Sequence, residues 1–372
     1  MKLSIDFFMM SSPLCDGRII IHVMNNLRTG ITTGTCAAGA SKASALNLAG
    51  YSCESVSVRN LEGHEFALNT FREGESFGVM KYSGDDRADI TDGVRVLSRV
   101  EVLGQDGGIT FCAGEGVGTV TLPGLKVGVG EPAINPVPRE MITRAVREIF
   151  PREALRVTVS IPGGRELARK TFNPRLGIVG GLSVLGTTGI VKPMNEQALL
   201  DSLSLELSVI SSLGFREVYI TFAADGEKFT RRLFRVNTRN VIQCGNYPGH
   251  VLDECARLGF ERVTLCGNPG KLLKVAAGSF NTHSKISGGG IEALCTQLAV
   301  LGAGRELVGR VCHSNTTREA VEILRREGYG QVWRVLAEIT AGKCRERVCG
   351  NMKVSAVFVD GAGQVLGSYC DA

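Results

Sequence analysis

Between residues 55 and 102 apolar and polar positions alternate in four short runs, 55–59, 64–69, 77–82 and 94–102. Each run is rich in β-branched or aromatic residues, and turn-forming residues separate them. Period-two alternation predicts half-buried strands, and the short intervals predict antiparallel pairing. On either side the period changes. Residues 37–48 are an Ala-rich run, entered through Thr and Gly and closed by Gly50, as expected of a closely packed helix with a glycine cap. Residues 137–150 place Met141, Ile142, Ala145 and Ile149 on one face with Pro138 in the first turn, predicting a second helix before a strand at 155–161.

Beyond residue 195 the texture differs. Helix is predicted at 198–210, strand at 217–222, helix at 249–258, strand at 262–266, and helices at 272–277 and 291–301. Strands alternating with helices indicate βαβ units and a parallel sheet. Thr316 and Glu319 form a capping box for a helix ending at Arg326. A strand at 354–359 and a turn at 361–363 close the chain as a hairpin. The predicted organisation is an N-terminal extension over 1–26, an α+β domain over 27–195 and an α/β domain with a small parallel sheet over 196–372. A length of 372 residues exceeds what one core usually supports.

Composition narrows the function classes. With 44% hydrophobic and 21% charged residues the chain is an ordinary globular protein. The net charge of +5 is scattered and suits an acidic small molecule at least as well as nucleic acid. Aromatics at 6% argue against single-stranded nucleic acid, whose bases stack on aromatic rings. The 12 cysteines contain no Cys-x-x-Cys pair, and Cys36, Cys255 and Cys295 lie among small or apolar residues. They read as buried free thiols in a reducing compartment. A zinc site from Cys312, His313, Cys344 and Cys349 lacks the usual spacing. No apolar run reaches the roughly 18–20 residues of a membrane span. Residues 1–10 carry Asp6 within their apolar part, which makes a poor signal peptide. A cytoplasmic protein is expected.

Several segments carry candidate chemistry. Thr29, Thr32, Thr33 and Thr35, with Gly30 and Gly34, crowd the entrance of the first helix. Free N–H groups, hydroxyls and the helix dipole there form an anion-binding geometry, beyond what capping needs. The loop 83–93 holds Asp85, Asp86, Asp89 and Asp92, without the closing Glu of a calcium loop. It is either a solvated turn or a set of acceptors for substrate or loop amides. Gly114, Gly116 and Gly118 imitate a dinucleotide fingerprint, but a strand follows them, so they predict a hairpin turn. Residues 124–138 and 173–195 interleave Gly, Pro, Asn and Thr with aliphatics, as pocket walls or as glycine-rich strands, with Arg175 and Lys192 as carboxylate partners. Gly267, Asn268, Pro269, Gly270 and Lys271 lie where a parallel strand should end, the usual place for a ligand. Asn281, Thr282, His283, Ser284 and Lys285 follow as a polar cluster, with His283 a ligand contact.

Residues 27–42 (LRTGITTGTCAAGASK), 117–141, 173–195 and 267–285 (GNPGKLLKVAAGSFNTHSK) resemble, in the same order, the motifs of the cobalt-precorrin-5B C1-methyltransferases. The resemblance covers about residues 27–368. Asn268-Pro269 replaces a His-led turn expected in that family. The resemblance implies an α+β domain akin to the second domain of ribosomal protein S5 beside a smaller parallel α/β domain. It also implies methyl transfer from S-adenosylmethionine to C-1 of cobalt-precorrin-5B, giving cobalt-precorrin-6A in anaerobic cobalamin biosynthesis. Cobalt would arrive only within the substrate. The acceptor carries many carboxylates, so dispersed Arg, Lys and N–H partners are expected. Candidate substrate contacts are Arg28, Thr29, Thr32, Thr33, Thr35, Asp92, Asn135, Arg175, Thr187, Thr188 and Lys192. Candidate cofactor contacts are Asp225, Gly267, Gly270, Lys271, Asn281, Thr282, His283 and Ser284, with His283 also a candidate for proton transfer. Neither nucleic acid nor membrane is an expected partner, and a homo-oligomer is left open. Competing readings are a methyltransferase acting elsewhere on a related tetrapyrrole, an S5-like RNA-binding module, and a phosphate-handling enzyme, for which no P-loop exists.

Overall fold

The computed structural model describes residues 27–191 and 196–371. A two-residue strand β1 (Gly30–Ile31) leads into helix α1 (Thr33–Leu48), whose small side chains are buried from Thr33 through Ser41. Smallness is what allows it to lie on the sheet. A Cβ on Gly39 would stand 2.5 Å from Leu68 Cδ1.

The alternating runs become β2 (Ser55–Arg59) and β3 (Glu65–Asn69), a separate hairpin, then β4 (Phe71–Glu73), β5 (Ser76–Met80) and β6 (Arg95–Gly104). These are followed by β7 (Ile109–Ala113), β8 (Thr119–Val120), α2 (Pro136–Arg147) and β9 (Ala154–Ser160). The larger sheet has the order β4-β5-β6-β9-β7 and is antiparallel except for the β7–β9 pair. The glycines at 114–118 do not close the expected hairpin, because β7 joins β9 while β8 pairs with β10 (Ile178–Val179). Gly116 has φ +71°, and any Cβ there would meet the Ile161 carbonyl, so close backbone approach explains the glycine. A short α3 (Gly164–Ala168) precedes β10, and β11 (Ile190–Val191) pairs with β1. Val96 and Val100, with Val157, Val159, Met141, Ile142 and the alanines of α1, make one core.

The second sheet comprises β12 (Glu217–Thr221), β13 (Val241–Gln243), β14 (Arg262–Gly267), β15 (Lys353–Val359) and β16 (Val365–Tyr369) in the order β13-β12-β14-β15-β16. Its first four members run parallel and β16 is antiparallel. The helices are α4 (Glu196–Ser212), α5 (Ala224–Phe234), α6 (Pro248–Arg257), α7 (Pro269–Ala276), α8 (Gly290–Val300), α9 (Arg305–Cys312), α10 (Thr317–Arg326) and α11 (Val332–Arg347). All but α5 bury side chains in one core against Val218, Ile220, Val263, Leu265 and Phe358. On the opposite face Phe229 and Phe234 of α5 cover Cys266, Val357 and Val359. The chain thus mixes α and β structure around two mixed sheets.

A third apolar cluster joins the halves: Val120, Val127, Ala133, Leu176 and Ile178 pack with Val209 of α4. Cys295, expected as a free thiol, is instead joined to Cys312. Helices α8 and α9 turn back on each other and bring the two Cα atoms to 6.2 Å. Cys36, Cys244, Cys255, Cys266 and Cys344 are buried and free. No described helix is long and apolar enough to cross a membrane.

Candidate functional site

The chain leaves β12 through α5 on one face towards β13, and leaves β14 through α7 on the other face towards β15. Such a reversal opens a crevice at the carboxyl ends of the strands. The loops 222–225, 244–247 and 267–271 meet there. Gly267 ends β14 with no room for a side chain, since a Cβ would lie 2.7 Å from Phe222 Cδ2. Asn268 caps α7 by accepting from Lys271 N at 3.2 Å, and Pro269 fills the first turn. The turn replacing the His-led one is therefore a helix cap.

Lys271 reaches across this crevice. Its Nζ donates to Asn246 Oδ1 at 2.5 Å and to the Thr282 carbonyl at 3.3 Å. Lys274 Nζ donates to the same carbonyl at 3.1 Å, and Thr282 N donates to the Asn246 carbonyl at 2.9 Å. Burial, then the neighbouring Lys274 charge, lowers the pKa of Lys271. Thr282 is fully buried and its Oγ1 has no partner among the described residues. Asn281 Oδ1 accepts from His283 N at 3.1 Å, and His283 Nδ1 accepts from Lys285 N at 3.2 Å. That acceptor role puts the proton of the neutral ring on Nε2. Ser284 is exposed. Gly270 adjoins the α10 entrance, where a Cβ would stand 3.3 Å from Thr317 Oγ1. Asp225 is exposed at the head of α5 and pairs with Lys228 at 3.5 Å. The structure brings Gly267, Gly270, Lys271, Asn281, Thr282 and His283 together and adds Asn246 and Lys274. Asn246 follows a strand of only three residues, too short to show in the pattern.

The Thr-rich entrance departs from expectation. Thr32 Oγ1 accepts from Thr35 N, Thr35 Oγ1 donates to the Gly189 carbonyl at 2.7 Å, and Thr33 Oγ1 both donates to Leu185 O and accepts from Leu185 N. Gly34 N and Thr32 N donate to the carbonyls of Leu185 and Gly189. Thr32, Thr33 and Thr35 are buried. They fasten the 185–189 loop to α1 and are not free anion donors. Thr29, Asn135 and Thr187 remain exposed around this entrance. Arg28, with side-chain exposure of 75%, forms a fork with Asp85, and Thr188 Oγ1 turns back to Ile190.

The acidic loop serves its own neighbours. Asp92 Oδ1 accepts from Ser83 N at 2.7 Å, a neighbouring loop amide. Asp89 accepts from the buried Lys81 Nζ at 2.6 Å and from Ser83 and Thr91. Burial alone would push its carboxyl up, but the Lys81 ammonium and Thr91 hydroxyl hold it below the usual range.

Arg175 does not face the Thr loop. Its guanidinium donates to Glu206 Oε1 at 2.9 Å and to Glu227. With Pro174, Val209, Thr238 and Arg239 these groups line a cavity of about 290 Å³ between α4 and the edge of the second sheet. That is the low end for a small-molecule pocket, and neither the crevice nor the Thr loop lines it. Two carboxylates already pair with Arg175. Burial pushes Glu206 above the usual range despite Arg175, with Glu227 adding to the rise. Lys192 lies outside the described residues.

Comparison with known proteins places these features in a family. The model of the CbiD family matches residues 21–193, and that of the CbiD C-terminal domain matches residues 281–370. A relative in Alkaliphilus metalliredigens named cobalt-precorrin-5B C(1)-methyltransferase is 40% identical over 348 residues, 92% of each chain. One of the same name in Methanocaldococcus jannaschii is 37% identical, covering 91% of this chain and 96% of its own. The crystal structure of a cobalamin biosynthesis protein (cbiD) from Archaeoglobus fulgidus is 30% identical over 70% of this chain and 83% of its own, with a TM-score of 0.39.

Proposed function

This chain belongs to the CbiD family, and from that membership we infer that it is an enzyme of cobalamin biosynthesis that methylates C-1 of cobalt-precorrin-5B. The observation that carries this reading is the identity of about 40% over nine-tenths of the chain to proteins of that activity. S-adenosylmethionine, as the donor, supplies a methyl group already activated on a sulfonium. The ring carbon's electron pair makes the new C–C bond and the S–CH3 pair returns to sulfur. The protein's task is alignment and exclusion of water, which can lower a barrier by roughly 7–11 kcal/mol.

The crevice at 222–225, 244–247, 267–271 and 281–284 is our donor site. Its fit rests on two half-buried ammoniums, Lys271 and Lys274, above a glycine-lined floor, chemistry suited to a carboxylate. Gly267 and Gly270 keep the floor low, while Asn281, Thr282, His283 and Ser284 form the facing loop. Asp225 stands at the opposite rim, where it accepts from ribose hydroxyls. His283 presents an Nε2 proton for a transfer near the reacting carbon. The acceptor's carboxylates we assign to the exposed Arg28, Thr29, Asn135 and Thr187 around the α1 entrance. We further read residues 27–195 and 196–372 as two domains, the first akin to the second domain of ribosomal protein S5, in a cytoplasmic enzyme.

Replacing Lys271 by Met and His283 by Ala tests the donor site by calorimetric titration with S-adenosylmethionine. Loss of affinity in Lys271→Met is expected. Unchanged affinity in both variants removes the assignment.

A further inference from the structure

We propose that Asn246 is a positioning residue that holds the Lys271 ammonium ready for the carboxylate of the donor's methionine moiety; this rests on the donor site proposed above. Lys271 and Lys274 converge on one carbonyl, that of Thr282. Four other lysines pair with carboxylates, Lys42 with Glu148, Lys81 with Asp89, Lys228 with Asp225 and Lys343 with Glu346, whereas Lys126, Lys170, Lys285 and Lys353 form no ion pair among the described residues. Lys271 and Lys274 have only neutral oxygens as partners among the described residues. Two neighbouring ammoniums repel each other, and partial burial strengthens the repulsion. An anion placed between them relieves it.

Asn246 gives this cluster its shape. Through Oδ1 it fixes Lys271 Nζ at 2.5 Å, and through its carbonyl it fixes Thr282 N at 2.9 Å. One residue therefore ties the loop after β13 to the first turn of α7 and to the 281–284 loop. An uncharged acceptor suits the task. It orients the ammonium without neutralising it and leaves the third N–H of Lys271 for a ligand. The buried Thr282 hydroxyl, without a partner among the described residues, is an unfavourable arrangement that the bonds from Asn246 and the two lysines maintain.

The test compares S-adenosylmethionine with its decarboxylated analogue, which keeps the sulfonium and nucleoside and lacks the carboxylate. Dissociation constants are measured for the full chain and for Asn246→Ala, Asn246→Asp and Lys271→Met. The wild-type protein is expected to prefer S-adenosylmethionine by roughly tenfold to a hundredfold, the range of a charge-assisted hydrogen bond. Asn246→Ala should lose most of that preference while binding the analogue unchanged. Asn246→Asp preserves size and the bond to Lys271 but repels the carboxylate, so it should lose at least as much. It also keeps the test decisive if the alanine variant fails to fold, as read from the emission of the buried Trp333. If Lys271→Met retains full affinity, the donor site itself is misplaced. If Lys271→Met loses the preference and either Asn246 variant retains it, or weakens both ligands equally, the donor site stands and the role of Asn246 is overturned.

Discussion

Arg175→Met isolates the electrostatics of the junction between the two sheets. The guanidinium holds Glu206 and Glu227, with side-chain exposures of 28%, 5% and 16% for Arg175, Glu206 and Glu227. Glu227 keeps a neutral donor without it, Gln243 Nε2 at 2.5 Å, whereas Glu206 Oε2 already lacks a partner among the described residues. Removing one member of a buried pair costs about 3–5 kcal/mol, and the partial exposure of Arg175 points to about 3. With an m-value of about 2 kcal/mol/M in urea, the transition should move down by roughly 1.5 M. Trp333, the only tryptophan and 2% exposed in the second core, reports it by fluorescence. Adding Glu206→Gln should recover most of the loss, because the uncompensated charge and not the missing contact sets the cost. The deficit should also depend on pH. Burial raises the folded pKa of Glu206 above its unfolded value of about 4.3. Stability tied to that group is fully present below the unfolded value and is lost as pH rises through the folded one. Without Arg175 the folded value rises further, so the deficit is small near the unfolded pKa and full at neutrality. A shift under about 0.3 M, a deficit flat with pH, or no recovery in the double variant would refute the reasoning.

Asp89 titrates in the opposite sense. Its folded pKa lies below the unfolded value of about 3.9. Its contribution is present above that value and is lost as pH falls through the folded one, so the 83–92 loop should gain amide exchange below about pH 4; Asp89→Asn should exchange freely at neutral pH, and equal protection in both proteins would contradict this. Gly267→Ala drives a methyl into the Phe222 ring and should cost about 1–3 kcal/mol in a thermal or urea melt. A neutral effect would mean that the ring can swing away.

Local chemistry made the elements legible where one short stretch decides them. Thr316 and Glu319 announce α10 through a capping box, and the alternation in 55–59 and 94–102 announces strands. Helix α11 repeats apolar residues at Val332, Trp333, Leu336, Ala337, Ala341 and Cys344. Gly342 and the dense arginines and glutamates between them masked that stripe. Strand β7 is defined by a parallel partner, β9, beyond an intervening helix, which no local pattern encodes. The candidate site divides the same way. The place of Gly267 and Lys271 at a strand-to-helix turn was readable because such a turn has a fixed place at the carboxyl end of a parallel sheet. Thr33 and Thr35 were misread because Leu185 and Gly189 lie 152 and 154 positions away. The pairing of Arg175 was hidden because Glu206 and Glu227 approach it only after folding.

Helix α4 turns Leu203, Leu207 and Ile210 towards the second core while its Leu205 and Val209, and Leu213 just beyond it, join the cluster built on Val120, Leu176 and Ile178. A fragment cut at residue 195 would carry away this helix with one greasy flank bared to water. The earlier half would be left with an unroofed apolar pit. Severed halves should therefore be sticky, and mixing them should restore solubility: each piece finishes the other.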